Sequence, residues 1–237
     1  MDVFVISLKK SERRAEFDKL NKGTINYTYF DAIDGNDVDI NESILKKGTM
    51  GYLKRPIGCA LSHLSLWEKC IELNKPIIIM EDDAFVSYEF DKHLENVVKM
   101  LPENWHILQL SYNCDSVLSY SNTTFENALT IFSKKKFDDA DINIFQKSKI
   151  FPTVAKLNMS FGIGSYCITP EGATLLKKMC FPLDNRVIFI PLVGNIKAYT
   201  IDCMMTDAYC KINAYVTPIP FVMTKHLHVN YVSEMDK

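Results

Sequence analysis

The 237-residue chain predicts an α/β fold, with an open, mainly parallel sheet flanked by helices. Three observations carry this. Residues 3–8 are a short apolar, β-branched run. Arg13, Arg14, Phe17 and Leu20 follow at helical spacing, and "YTYFDAIDG" (27–35) is a second extended run, making a β–α–β opening. Next, residues 58–73 carry Leu61, Leu64, Trp67 and Ile71 on one face and Ser62, Ser65, Lys69 and Glu72 on the other. Immediately after comes "IIIMEDDAFV" (77–86), a strongly apolar strand. Finally, "FGIGSYCIT" (161–169) reads as a strand, and the "PEGATLLKKM" after it as a helix with Pro170 in its first turn.

The remaining elements follow from local signals. Ser11 is placed to cap the first helix. Asp34-Gly35 makes the turn after the second strand. Residues 36–57 are polar and irregular, and Asn74-Lys75-Pro76 stops the long helix. Residues 91–100 read as helix and 106–110 as strand. Residues 112–160, rich in Ser, Asn, Asp and Lys, read as a long connection, either a binding loop or disordered. Residues 199–212 begin extended and turn helical after Asp202. No repeat and no domain boundary appear, so one domain over 1–237 is expected.

Composition narrows the function classes. Apolar residues make up 47% of the chain, enough for a sizeable core, and the net charge of −2 argues against nucleic acid as a partner. The seven cysteines are odd in number, lack C-x-x-C spacing and sit in apolar runs. A reducing compartment is therefore expected rather than a disulfide framework. The N-terminal run is too short for a signal peptide, and no apolar run reaches the 18 or so residues of a membrane span. A cytoplasmic protein is the expectation.

The chemistry starts at Glu81-Asp82-Asp83. Three carboxylates at the end of a buried strand repel one another and are costly to desolvate. A divalent cation removes that cost, and Mg²⁺ or Mn²⁺ commonly bridges carboxylates to phosphates. Open α/β sheets bind ligands beyond the C-terminal ends of their strands. The acids equally suit a solvated turn, but the apolar strand before them and the "AFV" after them favour a metal–diphosphate site.

Taken together, "VFVISLKKSERR", "FDAIDG", "IGCALSHLSLWEKC", "IIIMEDDAFV", "SYCITPEGATLL" and "YTIDCMMTDAYC" resemble glycosyltransferase family 25, in the family's order and over most of the chain. The resemblance implies a GT-A fold with Rossmann-like nucleotide-sugar binding. It implies a UDP-sugar donor, commonly UDP-galactose, a divalent metal (Mn²⁺ or Mg²⁺) and inversion at the sugar carbon. Residues 1–110 would mainly bind the donor and 111–237 the acceptor. The acceptor would be a lipooligosaccharide or related glycan or glycolipid, with peripheral contact at the cytosolic face of the inner membrane. One departure stands out: Arg55-Pro56 occupies the place of the family's Gly-Glu, so that glutamate's role does not carry over.

The resemblance also distributes roles. Asp83 is the first choice for metal ligand, with Glu81 beside it or meeting the donor ribose, and Asp82 holding the loop or the donor. Of His226 and His228, one, taken as His226, would complete the metal shell unless both are tail residues. Ser7, Arg13, Arg14, Asp34, Ser62, His63 and Gly164 are the donor-binding candidates. Each has a plainer alternative: a solvated helix face for the arginines, a turn for Asp34, a satisfied core residue for His63, a bulge for Gly162 and Gly164. Inversion needs a carboxylate base; Asp202 is the candidate, unless it is only a helix cap, with Asp207 as its substitute. Lys134-Lys135-Lys136 is a candidate contact for an anionic lipid surface, or a solvated loop. A metal-dependent nucleotide-sugar hydrolase and an inactive nucleotide-sugar-binding module are the rival readings.

Overall fold

A computed structural model describes residues 1–114, 116–122, 125–130, 137–190 and 194–225. The chain opens with β1 (Asp2–Ser7), α1 (Arg13–Asn21), β2 (Thr28–Asp31) and a 3-10 turn at Gly35–Asp37. Then come α2 (Lys54–Leu73), β3 (Ile77–Glu81), β4 (Ala84–Val86), α3 (Phe90–Met100) and β5 (Ile107–Ser111). The second half holds β6 (Leu118–Ser121), β7 (Ala128–Thr130), α4 (Asp139–Lys147), β8 (Ala155–Ser160), β9 (Ser165–Ile168) and α5 (Pro170–Cys180). It closes with β10 (Val187–Ile190), β11 (Gly194–Lys197), α6 (Ile201–Tyr209), β12 (Ala214–Val216) and β13 (Val222–Thr224).

Nine strands form one sheet in the order β2-β1-β3-β9-β5-β12-β8-β6-β7. β2, β1 and β3 are parallel neighbours, as are β5 and β12, whereas β9 pairs antiparallel with both β3 and β5. Followed across the sheet, six strands run one way, and β9, β8 and β7 run the other. This is the expected open α/β sheet, mixed rather than purely parallel. The inserted β9 has a functional consequence. Because it runs backwards, the loop before it (161–164) reaches the same sheet edge as the C-terminal ends of β1, β2, β3 and β5.

Both sheet faces are covered, so the central strands read as unbroken apolar runs rather than alternating ones. Phe4, Ile6, Ile77 and Ile79 pack with Trp67, Leu176 and Met204 of α2, α5 and α6. Val3, Val5, Ile78 and Met80 pack on the other face with Phe17, Phe90 and Val97 of α1 and α3.

Several boundaries differ from expectation. α2 starts at Lys54, four residues early, because Pro56 sits in its first turn, where the amide it lacks has no intrahelical acceptor. The run at 161–169 is strand only from Ser165; Gly162, at φ +79°, belongs to the loop. α6 starts one residue before Asp202, with Thr200 as its N-cap residue. Ser11 is not the cap of α1, although its Oγ accepts from the Arg13 N–H at 3.2 Å. Residues 112–160 are not one long connection but hold β6, β7, α4 and β8. No helix among the described residues is long and apolar enough to cross a membrane. All seven cysteines carry free thiols.

Candidate active site

A cleft of about 590 Å³ opens at that sheet edge. One wall is apolar, made by Ile6, Leu8, Ala32, Ile33 and Pro56. The polar lining brings Arg13, Asp34, Arg55, Ser62, Glu81 and Asp82 together with Asn113, Thr200 and Asp202. These residues come from the ends of β1, β2 and β3, the starts of α1, α2 and α6, and the loops after β5 and before β9.

Two glycines set the wall between β2 and α2. A Cβ on Gly35 would lie 1.7 Å from the Lys54 carbonyl oxygen, and one on Gly58 would lie 2.5 Å from the Gly35 nitrogen and the Ile33 oxygen. Only backbone fits there. Ser62 locks the approach: its Oγ accepts from the Ile33 N–H at 2.9 Å and donates to the Gly58 carbonyl at 2.8 Å. Ser62 therefore touches the cleft while fastening α2 to the loop after β2.

The three acids separate by environment. Asp82 is buried and satisfied, accepting from Ser7 Oγ at 2.7 Å and from Arg13 Nη1 at 2.9 Å. Asp83 is only 4% exposed and does not line the cleft, and Arg13 Nη2 lies 3.8 Å from it. Burial raises the Asp83 carboxyl well above the usual carboxylate range, the Glu81 charge raises it further, and Arg13 pulls the other way. Glu81 reaches into the cleft with its side chain 26% exposed, 3.7 Å from His63 Nε2. Beyond Asp83 the chain is pinned by β4, which pairs antiparallel with β13, and the Lys225 N–H donates to the Asp83 carbonyl at 3.0 Å.

His63 is fully buried on α2. Trp67 Nε1 donates to Tyr166 Oη at 2.8 Å, and Tyr166 Oη lies 2.8 Å from His63 Nδ1. The indole can only donate, so Tyr166 Oη accepts from it, and the direction of the second bond follows the imidazole tautomer. Cys59, one turn earlier, lines the cleft, and burial followed by the Glu81 and Asp202 charges pushes its thiol up.

Asp202 lines the same cleft as Glu81, from the first turn of α6. It accepts from the Gly162 N–H at 3.1 Å, from the Cys203 N–H at 2.9 Å and from the Thr200 hydroxyl. All three donors are neutral. Gly162 must be glycine twice over, because its φ is positive and a Cβ would lie 2.1 Å from Asn113 Oδ1.

Other sequence candidates fall elsewhere. Arg14 does not line the cleft. It donates to the Ser7 carbonyl at 2.8 Å and to Asp31 at 2.6 Å, stacks 4.6 Å from the Tyr29 ring centroid, and so ties the ends of β1 and β2 together. Gly164 is needed because a Cβ would lie 2.2 Å from the Thr224 methyl; it packs against β13, and the glycine at the cleft is Gly162. Asp207 pairs with Arg186 at 3.0 Å and Lys211 at 2.9 Å, away from the cleft. Asp34 lies at the exposed rim and accepts from the Asn36 N–H at 2.9 Å. His226, His228 and the lysine run 134–136 lie outside the described residues. The sequence reading missed Asn113, Thr200 and Cys59. Asn113 was findable, since it stands two residues past the end of β5, at the ligand-binding edge.

The comparisons with known proteins agree with one another. The family model described as glycosyltransferase family 25 (LPS biosynthesis protein) matches residues 1–188. A Haemophilus influenzae protein named as a glycosyltransferase is 28% identical over 197 residues, covering 78% of this chain and 60% of its own length. Human procollagen galactosyltransferase 2 is 28% identical over 127 residues, 46% of this chain and 20% of that one. Mouse inactive glycosyltransferase 25 family member 3 is 32% identical over 114 residues, 41% of this chain and 19% of that one. The chain thus spans less than two thirds of each of these relatives. With four fifths of it matched by one family model, the chain belongs to glycosyltransferase family 25.

Proposed function

We propose that the chain transfers a hexose, with galactose from UDP-galactose as first choice, to a lipooligosaccharide or related surface glycan, with inversion and with a divalent metal. The observation that carries this is the gathering of three carboxylates, Glu81, Asp82 and Asp202, in one cleft beyond the C-terminal ends of parallel strands. Family membership supports sugar transfer. The human relative's name supports galactose, and the family's description supports a lipopolysaccharide-type acceptor. A glycolipid acceptor implies peripheral contact with the membrane that carries it.

In this reading the apolar wall of Ile6, Leu8, Ala32, Ile33 and Pro56 takes the nucleoside, with Asp34 at the rim accepting from base or ribose. Asp202 takes the proton of the acceptor hydroxyl as that oxygen attacks the sugar carbon from the face opposite the diphosphate. Its three neutral donors hold it in place. Arg13 is engaged by Asp82 and Asp83 and keeps the acid turn folded.

Glu81 and Asp83 suit Mn²⁺ or Mg²⁺. Both offer hard oxygen donors, and a cation would relieve the burial and mutual repulsion that raise the Asp83 carboxyl. Asp82 is already engaged by Arg13 and Ser7. When bound, such an ion would offset the charge gathering on the departing diphosphate.

A screen of UDP-sugars with Mn²⁺, with and without glycan acceptor, tests the proposal. Acceptor-dependent turnover with UDP-galactose is the expected result, and equal donor loss in both arms would instead identify a hydrolase. One second reading has an observation behind it. Arg13 already lies between Asp82 and Asp83, and a mouse relative is named inactive, as for a binding module without transfer. UDP binding without turnover on any acceptor would select it.

A further inference from the structure

We propose that Cys59, His63 and Glu81 form a binding site for one soft divalent ion, Zn²⁺ by chemistry, with its open position facing the cleft. The site does not depend on the transferase reading. Its three ligand atoms, Sγ, a ring nitrogen and a carboxylate oxygen, all lie within 4.8 Å of one another. Cys59 and His63 stand four residues apart on α2 and so share one helix face. Glu81 arrives from the end of β3. Two rigid elements therefore bring the donors together, with no ligand on a loop.

The second observation is the imidazole itself. His63 is fully buried, and its Nε2 has no hydrogen-bond partner, standing 3.7 Å from Glu81 Oε1. A buried polar atom is rarely left so. Tetrahedral zinc with bonds of about 2.0–2.3 Å needs donors about 3.3–3.5 Å apart. The nitrogen–oxygen separation of 3.7 Å is already close to that, and the thiol, within 4.8 Å of the other two donors, reaches it by a side-chain adjustment. Thiolate and imidazole together select zinc over magnesium or manganese.

The outer partner is also present. A ligating histidine fixes its ring by donating its other N–H. With Nε2 on the metal the neutral ring would carry its proton on Nδ1, 2.8 Å from Tyr166 Oη. The Cys59 thiol proton is released to solvent as the Sγ–metal bond forms. Three protein ligands leave a fourth position, and Cys59 and Glu81 both line the cleft, so that position opens to it. The soft ion would hold Glu81 and so compete with a harder ion for the same carboxylate.

The test is a titration of metal-free protein with Co²⁺, read by absorption, followed by displacement with Zn²⁺ against a chromophoric chelator. One equivalent should give ligand-field bands and a sulfur-to-cobalt charge-transfer band, both bleached by Zn²⁺. Cys59→Ser should abolish the charge-transfer band, whereas Cys210→Ser, at an exposed thiol, should keep it. Glu81→Gln should leave the protein folded and weaken zinc at least tenfold. The ¹⁵N signals of His63 in the zinc-loaded protein should show a protonated Nδ1 and a metal-bound Nε2. No charge-transfer band in the wild-type chain, or a band that survives Cys59→Ser, would overturn the site. Neither result needs sugar transfer, so failure of the transferase reading is a separate outcome.

Discussion

The end of β3 and the start of α6 both present acids to the chain's neighbours, and they handle the charge in opposite ways. At β3 three consecutive carboxylates crowd one turn. The fold answers with a guanidinium and a hydroxyl on Asp82, burial for Asp83, and exposure only for Glu81. On α6 two acids five residues apart are split completely. Asp202 takes only neutral donors and faces the cleft, while Asp207 is held by Arg186 and Lys211. Five residues on a helix of about 3.6 per turn place two side chains roughly 140° apart, on different faces. At the strand end the adjacent acids are told apart by the partners each one meets. On α6 the turn of the helix itself parts them.

The comparison breaks most visibly in catalysis. Asp202→Asn should lower acceptor-dependent turnover by about 10²–10⁴-fold while leaving UDP binding within a few-fold, as loss of a base does. Asp207→Asn should leave turnover nearly unchanged. Steady-state rates beside calorimetric UDP binding decide it, and the reverse pattern would sink the division of roles. Next in size is Arg13→Ala, which removes the guanidinium from beside two buried carboxylates and should destabilise the fold by about 3–5 kcal/mol in urea unfolding. Replacing Asp82 by Asn should cost less, since the amide oxygen still accepts from Arg13 and the amide nitrogen can donate to Ser7 Oγ. Gly58→Ala, which forces a Cβ to within 2.5 Å of backbone, should cost about 1–3 kcal/mol and weaken UDP binding.

The smallest effect is in pH. Partial burial would raise the Asp207 carboxyl, but hydrogen bonds from Lys211 and Arg186 prevail and hold it below the usual carboxylate range. A depressed folded pKa contributes stability above the unfolded value, about 3.9, and that contribution is lost as pH falls through the folded value. Asp207→Asn should therefore reduce stability at pH 7, with the gap closing as pH falls through the folded value of the parent carboxyl. A constant gap across that range would remove the ion pairs as the cause.

Much of this was legible in the sequence, and the limits have physical reasons. The buried strand of "IIIMEDDAFV" and the apolar stripe of α2 were readable because burial imposes pattern. The start of α2 was not, because Pro56 imitates a break while occupying a first turn that needs no donor. Residues 112–160 hid four elements because β6 and β7 are only four and three residues long. Arg13 and Arg14 are indistinguishable in sequence; only the direction of α1 sends one to Asp82 and the other to Asp31. Gly162 and Gly164 are a similar pair, separated by which neighbour would meet a Cβ. Asn113 and Thr200 carry no pattern, since their roles arise from chain segments that meet only after folding.

The interlock of Gly35 with Gly58 has one more consequence. The width of the cleft at this wall is set by two absent methyl groups. Enlarging either residue would lever the first turn of α2, and with it Arg55 and Pro56, across the opening. The side chains that face the void can therefore vary, whereas its gauge is locked where the backbones of Gly35 and Gly58 meet.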